Sequence, residues 1–145
     1  MDGRIAFLSA LWDGLRETVR VRKQYNLWPG ERGLDAWDVD RLIQLSRDLP
    51  IRDVLLDAIT EIDTDYWFRY GPIAPTVRRV VEHMRLTMEV DMSYPIILAA
   101  NGRVMDGMHR VARAILDGNA TIKAVRFVID PEPDYRNCSP EDLTY

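Results

Sequence analysis

Asn101-Gly102 stands between the apolar run Tyr94 to Ala100 and the short segment Arg103 to Met105, and no other feature constrains the fold as strongly. Asn-Gly is the strongest two-residue hairpin signal, because both central residues of a type I′ turn need positive φ. The chain therefore doubles back here, with an apolar strand before the turn and a returning strand after it. From Gly107 a helix begins whose buried side is Met108, Val111, Ala112 and Ile115, and Gly118 suits the left-handed position that closes it. Thr121 to Ile129 makes a last strand. Strand, hairpin, helix and strand in immediate succession exclude an all-helical fold.

Upstream, Ile5, Leu8, Trp12, Leu15 and Val19 alternate at spacings of three and four, which predicts an amphipathic helix over residues 4 to 24. A turn-rich stretch from Trp28 to Gly33 follows. A second helix is expected from about Asp35, with Val39, Leu42, Ile43 and Ser46 on one side and Pro50 ending it. Ile51 to Ile59 reads as a short strand entering an acidic, aromatic loop with Glu61, Asp63, Asp65, Tyr66 and Trp67. Pro75 suits the first position of a helix reaching Glu89, with Val77, Val80, Val81, Met84 and Met88 as its core stripe and Thr76, Arg79 and His83 on another face. The order predicts an α+β domain built on a small mixed sheet with helices packed on it.

Charge narrows the function classes. The 145 residues carry 19 basic and 23 acidic groups, and the segment from Asp130 to Tyr145 alone holds Asp130, Glu132, Asp134, Glu141 and Asp142 against Arg136. The rest of the chain is balanced, so it lacks the broad cationic field that grips a duplex backbone, and DNA binding by this chain alone is disfavoured. Cys138 is the single cysteine and the two histidines are His83 and His109, which excludes an internal disulfide and the familiar zinc spacings; no structural metal is expected. No apolar run approaches a membrane span and the N-terminus does not read as a signal peptide, so a cytoplasmic protein is expected. One domain covers 1–145: a helical element over 1–49, a core over 50–129, and an extended, Pro-rich acidic tail over 130–145 that either wraps the domain or stays mobile.

The segment Val104-Met105-Asp106-Gly107-Met108-His109-Arg110 carries the chemistry. A strand passes through an acid and a glycine directly into a helix with His and Arg in its first turn. Helix-start N–H groups bear partial positive charge, glycine admits close approach, and arginine offers a planar fork, so the turn reads as an anion seat. The same residues also fit a plain helix start, with Asp106 as cap and His109 and Arg110 in solvent.

The block Tyr94 to Phe127, with its apolar strand, hairpin, Asp-Gly-Met-His-Arg turn, helix, Gly118 and final strand, resembles the ParB/sulfiredoxin superfamily, and the likeness extends more weakly to the Ile51 strand. The first two helices would then be an N-terminal helical extension. Members of that superfamily bind nucleotide phosphates at this turn: ATP in sulfiredoxin, CTP in partition proteins, ADP in free-serine kinases. Gly107, His109 and Arg110 match the Gly-Cys-His-Arg turn of sulfiredoxin, but Met108 replaces the reactive cysteine, and a thioether cannot form a thiolate; sulfinic-acid repair is excluded. Asp106 to Arg110 is more similar to the Asp-Gly-His-His-Arg turn of the serine kinases, which take a carboxylate from the loop after the first strand, where Glu61 and Asp63 lie here. The double-arginine turn of the partition proteins is missing.

The resemblance implies a domain binding ATP or ADP with Mg²⁺, with small-molecule phosphotransfer as its activity. Gly107, Met108, His109 and Arg110 would clamp phosphate, Asp106 would hold Mg²⁺, Glu61 or Asp63 would take the proton of a small polar acceptor, and Thr76, Arg79 and His83 would line the opposite wall. A non-catalytic nucleotide-binding switch, or a ParB-like DNA-associated accessory protein, is the alternative. The acidic loop fits a solvated turn with Tyr66 and Trp67 tucked onto the core equally well, and the first helix is a candidate homodimer contact.

Overall fold

The computed structural model describes residues 23–70 and 74–143. The expected first helix lies outside the described residues apart from Lys23 and Gln24, which precede a strand. Strands β1 (Tyr25–Pro29) and β2 (Leu34–Asp38) form an antiparallel hairpin, followed by helix α1 (Val39–Ser46). Strand β3 (Arg52–Leu55) leads into two 3₁₀ turns, Leu56–Ala58 and Thr60–Asp63, and helix α2 spans Val77–Glu89. Strands β4 (Ile96–Leu98) and β5 (Val104–Asp106), helix α3 (Met108–Leu116), strand β6 (Thr121–Arg126), strand β7 (Tyr135–Cys138) and a 3₁₀ turn at Pro140–Asp142 complete the order.

The fold is α+β, with two sheets. The four-stranded one runs β3-β6-β4-β5 and is mixed: β4 and β6 are parallel through Ile96↔Ala124 and Ile97↔Val125, while β3 and β5 are antiparallel to their neighbours. Side-chain alternation divides its core in two. Ile96, Leu98, Val104, Ile122 and Ala124 meet Val111 and Ala114 of α3 on one face, whereas Ile97, Met105, Val125 and Phe127 meet Trp37 and Leu42 on the other. A strand buried on both faces needs apolar residues without interruption, as the run Ile96 to Ala99 supplies.

Strands β1 and β2 of the three-stranded sheet, β1-β2-β7, stand where a turn-rich stretch and the start of the second helix were expected. Residues 34–38 are strand where the second helix was expected to begin, because Asp38 caps α1 by accepting the Asp40 N–H at 2.9 Å and so sets its start at Val39. The tail supplies the third strand. It wraps the domain: Trp37 Nε1 donates to the Pro131 carbonyl at 2.8 Å, Asp38 N–H donates to Asp134 at 2.8 Å, and Arg41 pairs with Asp134 at 3.1 Å. Gly33 is required where the tail crosses, since a Cβ there would lie 2.9 Å from the Asn137 backbone.

Further local expectations are corrected. Ile51–Ile59 is strand only over Arg52–Leu55 and then tightens into 3₁₀ turns. The hairpin at Asn101-Gly102 is not type I′, because only Gly102 has positive φ, at 89°. Gly102 N–H donates to the Ala99 carbonyl at 2.9 Å and Ala99 N–H to the Arg103 carbonyl at 2.9 Å, a three-residue loop closed by a left-handed glycine. The stripe Val77, Val80, Val81, Met84 and Met88 is not core: Val77 is 82% exposed and Met84 59%. Helix α2 instead buries Thr87 and brings His83 within 2.8 Å of His109 on α3. Ile43 and Ile115 are likewise half exposed, while Leu42 and Val111 are fully buried.

Candidate functional site

Gly107 has φ 103° and caps α3 without a side chain, so the first N–H groups of the helix have no intrahelical acceptor. A Cβ at Gly107 would lie 2.7 Å from Ile96 Cγ2 and 2.8 Å from the Arg110 guanidinium, which folds back over the turn. Arg110 Nη2 donates to Asp106 at 3.0 Å and to the Pro95 carbonyl at 3.3 Å, while its Nε is buried without an acceptor. The fork therefore holds the turn together and keeps an unused donor.

His109 leaves this turn in another direction. Its Nε2 lies 2.8 Å from His83 Nδ1, so one imidazole donates to the other, and Trp67 stacks on both rings at 4.5 Å and 4.9 Å. Phe68 closes the edge of His83 at 5.3 Å. Burial pushes His109 down to about 4, with His83 and Arg110 adding to the effect. Burial and then Arg79 lower His83, with Glu82 opposing. The pair is neutral at pH 7, and His109 is not a cationic phosphate clamp in this arrangement. It fastens α2 to α3 beneath Trp67.

Glu61 is placed where it cannot act as a free base. Its carboxylate is buried, accepts the Val104 N–H, and pairs with Arg69 at 2.8 Å, which ties the acidic loop to β5. Asp63 is exposed at the end of the second 3₁₀ turn. Thr76 caps α2 by accepting the Arg79 N–H at 3.3 Å. Tyr66, whose hydroxyl donates to the Val104 carbonyl at 2.9 Å, is packed against the core, as the structural reading of this loop expected, and burial pushes its phenol up. The predicted site is thus divided: His109 with His83, Glu61 with Arg69, Asp106 with Arg110.

Of these groups, Asp106 and Arg110 border a cleft of about 590 Å³ between α1 and the mixed sheet. Its walls include Ile43, Ile51, Tyr94 and Ile97, and Arg47 enters from the end of α1. Arg47 has no carboxylate partner among the described residues, so it brings uncompensated positive charge. Sequence reasoning missed it, because an arginine between a helix end and Pro50 carries no pattern. Arg103 was also missed: it is buried, donates to Asn26 Oδ1 at 2.8 Å, and lies between Trp28 and Trp37 at 4.7 Å and 4.9 Å. Only the return of β5 beside the first hairpin puts it there.

Among the described residues no group of three His, Cys, Asp or Glu side chains is placed to hold a metal ion, and no helix is long and apolar enough to cross a membrane. Asp106 offers one carboxylate, already paired. Such a donor suits Mg²⁺ only when phosphate oxygens supply most of its ligands. No family model, curated protein or solved structure matches this chain.

Proposed function

We propose that this chain binds a nucleotide, ATP or ADP with Mg²⁺, in the cleft between α1 and the Asp106–Arg110 turn, and that it acts as a nucleotide-binding switch. One observation carries the reading: Arg47 and Arg110 border the same cleft, the first unpaired and the second with a buried Nε lacking an acceptor. Two guanidiniums can take phosphate oxygens by charge-assisted bonds, and the apolar walls suit a base. The resemblance of Asp106 to Arg110 to the phosphate turn of the ParB/sulfiredoxin superfamily supports it.

Binding is favoured over phosphoryl transfer. Transfer requires a carboxylate free to receive the acceptor's proton beside the clamped phosphates. Glu61 is committed to Arg69 and Val104, the Asp106 carboxylate is committed to Arg110, and Asp63 is exposed and does not line the cleft. Calorimetry with MgADP and MgATP tests binding, and phosphorus NMR with amino acids and sugars as acceptors tests turnover. Arg47→Ala is expected to weaken binding roughly tenfold, with an unchanged melting temperature because Arg47 is exposed. Failure of either nucleotide to bind, or equal binding by Arg47→Ala, overturns the proposal; turnover would restore the phosphotransferase reading.

A further inference from the structure

A second cavity, of about 290 Å³, opens on the far side of the acidic loop and shares no lining residue with the Arg110 cleft. Arg69 and Arg79 line it together with Tyr25, Asn26, Tyr66 and Tyr70. Three buried side-chain polar atoms lack a hydrogen-bond partner among the described residues, and two of them, Arg69 Nε and Arg79 Nε, are in residues that line this cavity. A buried donor left unpaired is unfavourable, so two such guanidiniums beside one cavity favour an acceptor there.

The charge balance specifies that acceptor. Arg69 is already offset by Glu61 at 2.8 Å, and its guanidinium lies against Tyr66 at 4.6 Å and Tyr70 at 5.0 Å. Arg79 has no carboxylate partner among the described residues, so a single positive charge faces the space. The complement of one net charge is a monoanion; the complement of tyrosine walls is a flat ring. Asn26 cannot rotate to compete for the anion, because its side chain is held by Arg103 at 2.8 Å and by the Val104 carbonyl at 3.3 Å.

We infer that this cavity binds a small planar aromatic carboxylate, its oxyanion held by the guanidinium groups of Arg79 and Arg69 and its ring placed among the tyrosines. The site is separate from the nucleotide cleft and stands whether or not a nucleotide binds there.

The test is calorimetry on the full chain with benzoate, cyclohexanecarboxylate and phenyl phosphate as probes. Benzoate is expected to bind, and cyclohexanecarboxylate to bind about fivefold more weakly for lack of a ring face. Arg79→Gln should lose at least roughly tenfold in benzoate affinity, Arg79→Lys should fall between Gln and the parent, and Arg47→Ala should bind benzoate unchanged. Circular dichroism of each variant establishes that it is folded. The inference is overturned if benzoate shows no heat up to about 10 mM, if Arg79→Lys binds as tightly as the parent, or if phenyl phosphate binds more tightly than benzoate.

Discussion

Acidification should loosen this protein well before its carboxylates protonate, through the imidazole pair. An unfolded histidine titrates near 6.5, whereas burial holds His109 at about 4 in the folded chain, and His83 is lowered too. Between those values the unfolded chain binds more protons than the native one. The stabilisation is therefore complete above pH 6.5 and is lost as pH falls toward 4. A depression of this size is worth about 3 kcal/mol in full, and about 2 kcal/mol of it disappears between pH 7 and pH 5.

The charges around the pair, Arg79 and Glu82 on α2 and Arg110 on α3, leave the sign unchanged, since two cations outweigh one anion. Protonating both rings would set two imidazoliums against each other where a 2.8 Å hydrogen bond now stands. Urea denaturation at pH 7 and pH 5 measures the loss directly, and His109→Asn should roughly halve it or better. A parent stability that stays flat over this range, or an equal decline in His109→Asn, would refute the reasoning.

Glu61→Gln should destabilise the fold by about 3–5 kcal/mol, because it leaves Arg69 buried without its anion; chemical denaturation checks this. Gly107→Ala should cost more than Gly102→Ala, although both have positive φ: a methyl at Gly107 meets Ile96 and Arg110, whereas nothing lies within 4 Å of one at Gly102. Paired thermal melts should show about 1 kcal/mol at Gly102 and clearly more at Gly107. Arg103→Lys keeps the charge yet loses the planar stack between Trp28 and Trp37, and a loss of about 1–2 kcal/mol is expected, read from the denaturation midpoint.

The helix-start turn shows how far the sequence could be read. That a strand precedes the turn, that Gly107 makes it, and that a helix follows toward Gly118 were all legible, since each depends on local backbone preference and short-range spacing. Gly118 closes the helix as expected, with Gly118 N–H donating to Ile115 and Asn119 N–H to Ala114, both at 3.0 Å. Which way His109 and Arg110 would point was not legible. Neighbours on one helical turn diverge by about 100°, and the one that finds His83 cannot also meet Asp106.

The acidic loop teaches the same lesson at longer range. Glu61 and Asp63 look alike in the sequence, yet one is buried against Arg69 and the other is exposed. Their difference comes from contacts with β5, far away along the chain.

Sequence by itself determined the α+β class, the hairpin before α3, the absence of an internal disulfide, and the charge asymmetry of the tail. Tertiary structure alone decided that the tail becomes a strand beside β2, that the two histidines meet beneath Trp67, and that Arg47 shares a cleft with Arg110. The physical reason is the range of the forces involved. Turn chemistry and periodicity act within a few residues and leave a mark in the order of amino acids, whereas ion pairs, ring stacks and clefts join distant segments whose meeting only the packed chain specifies.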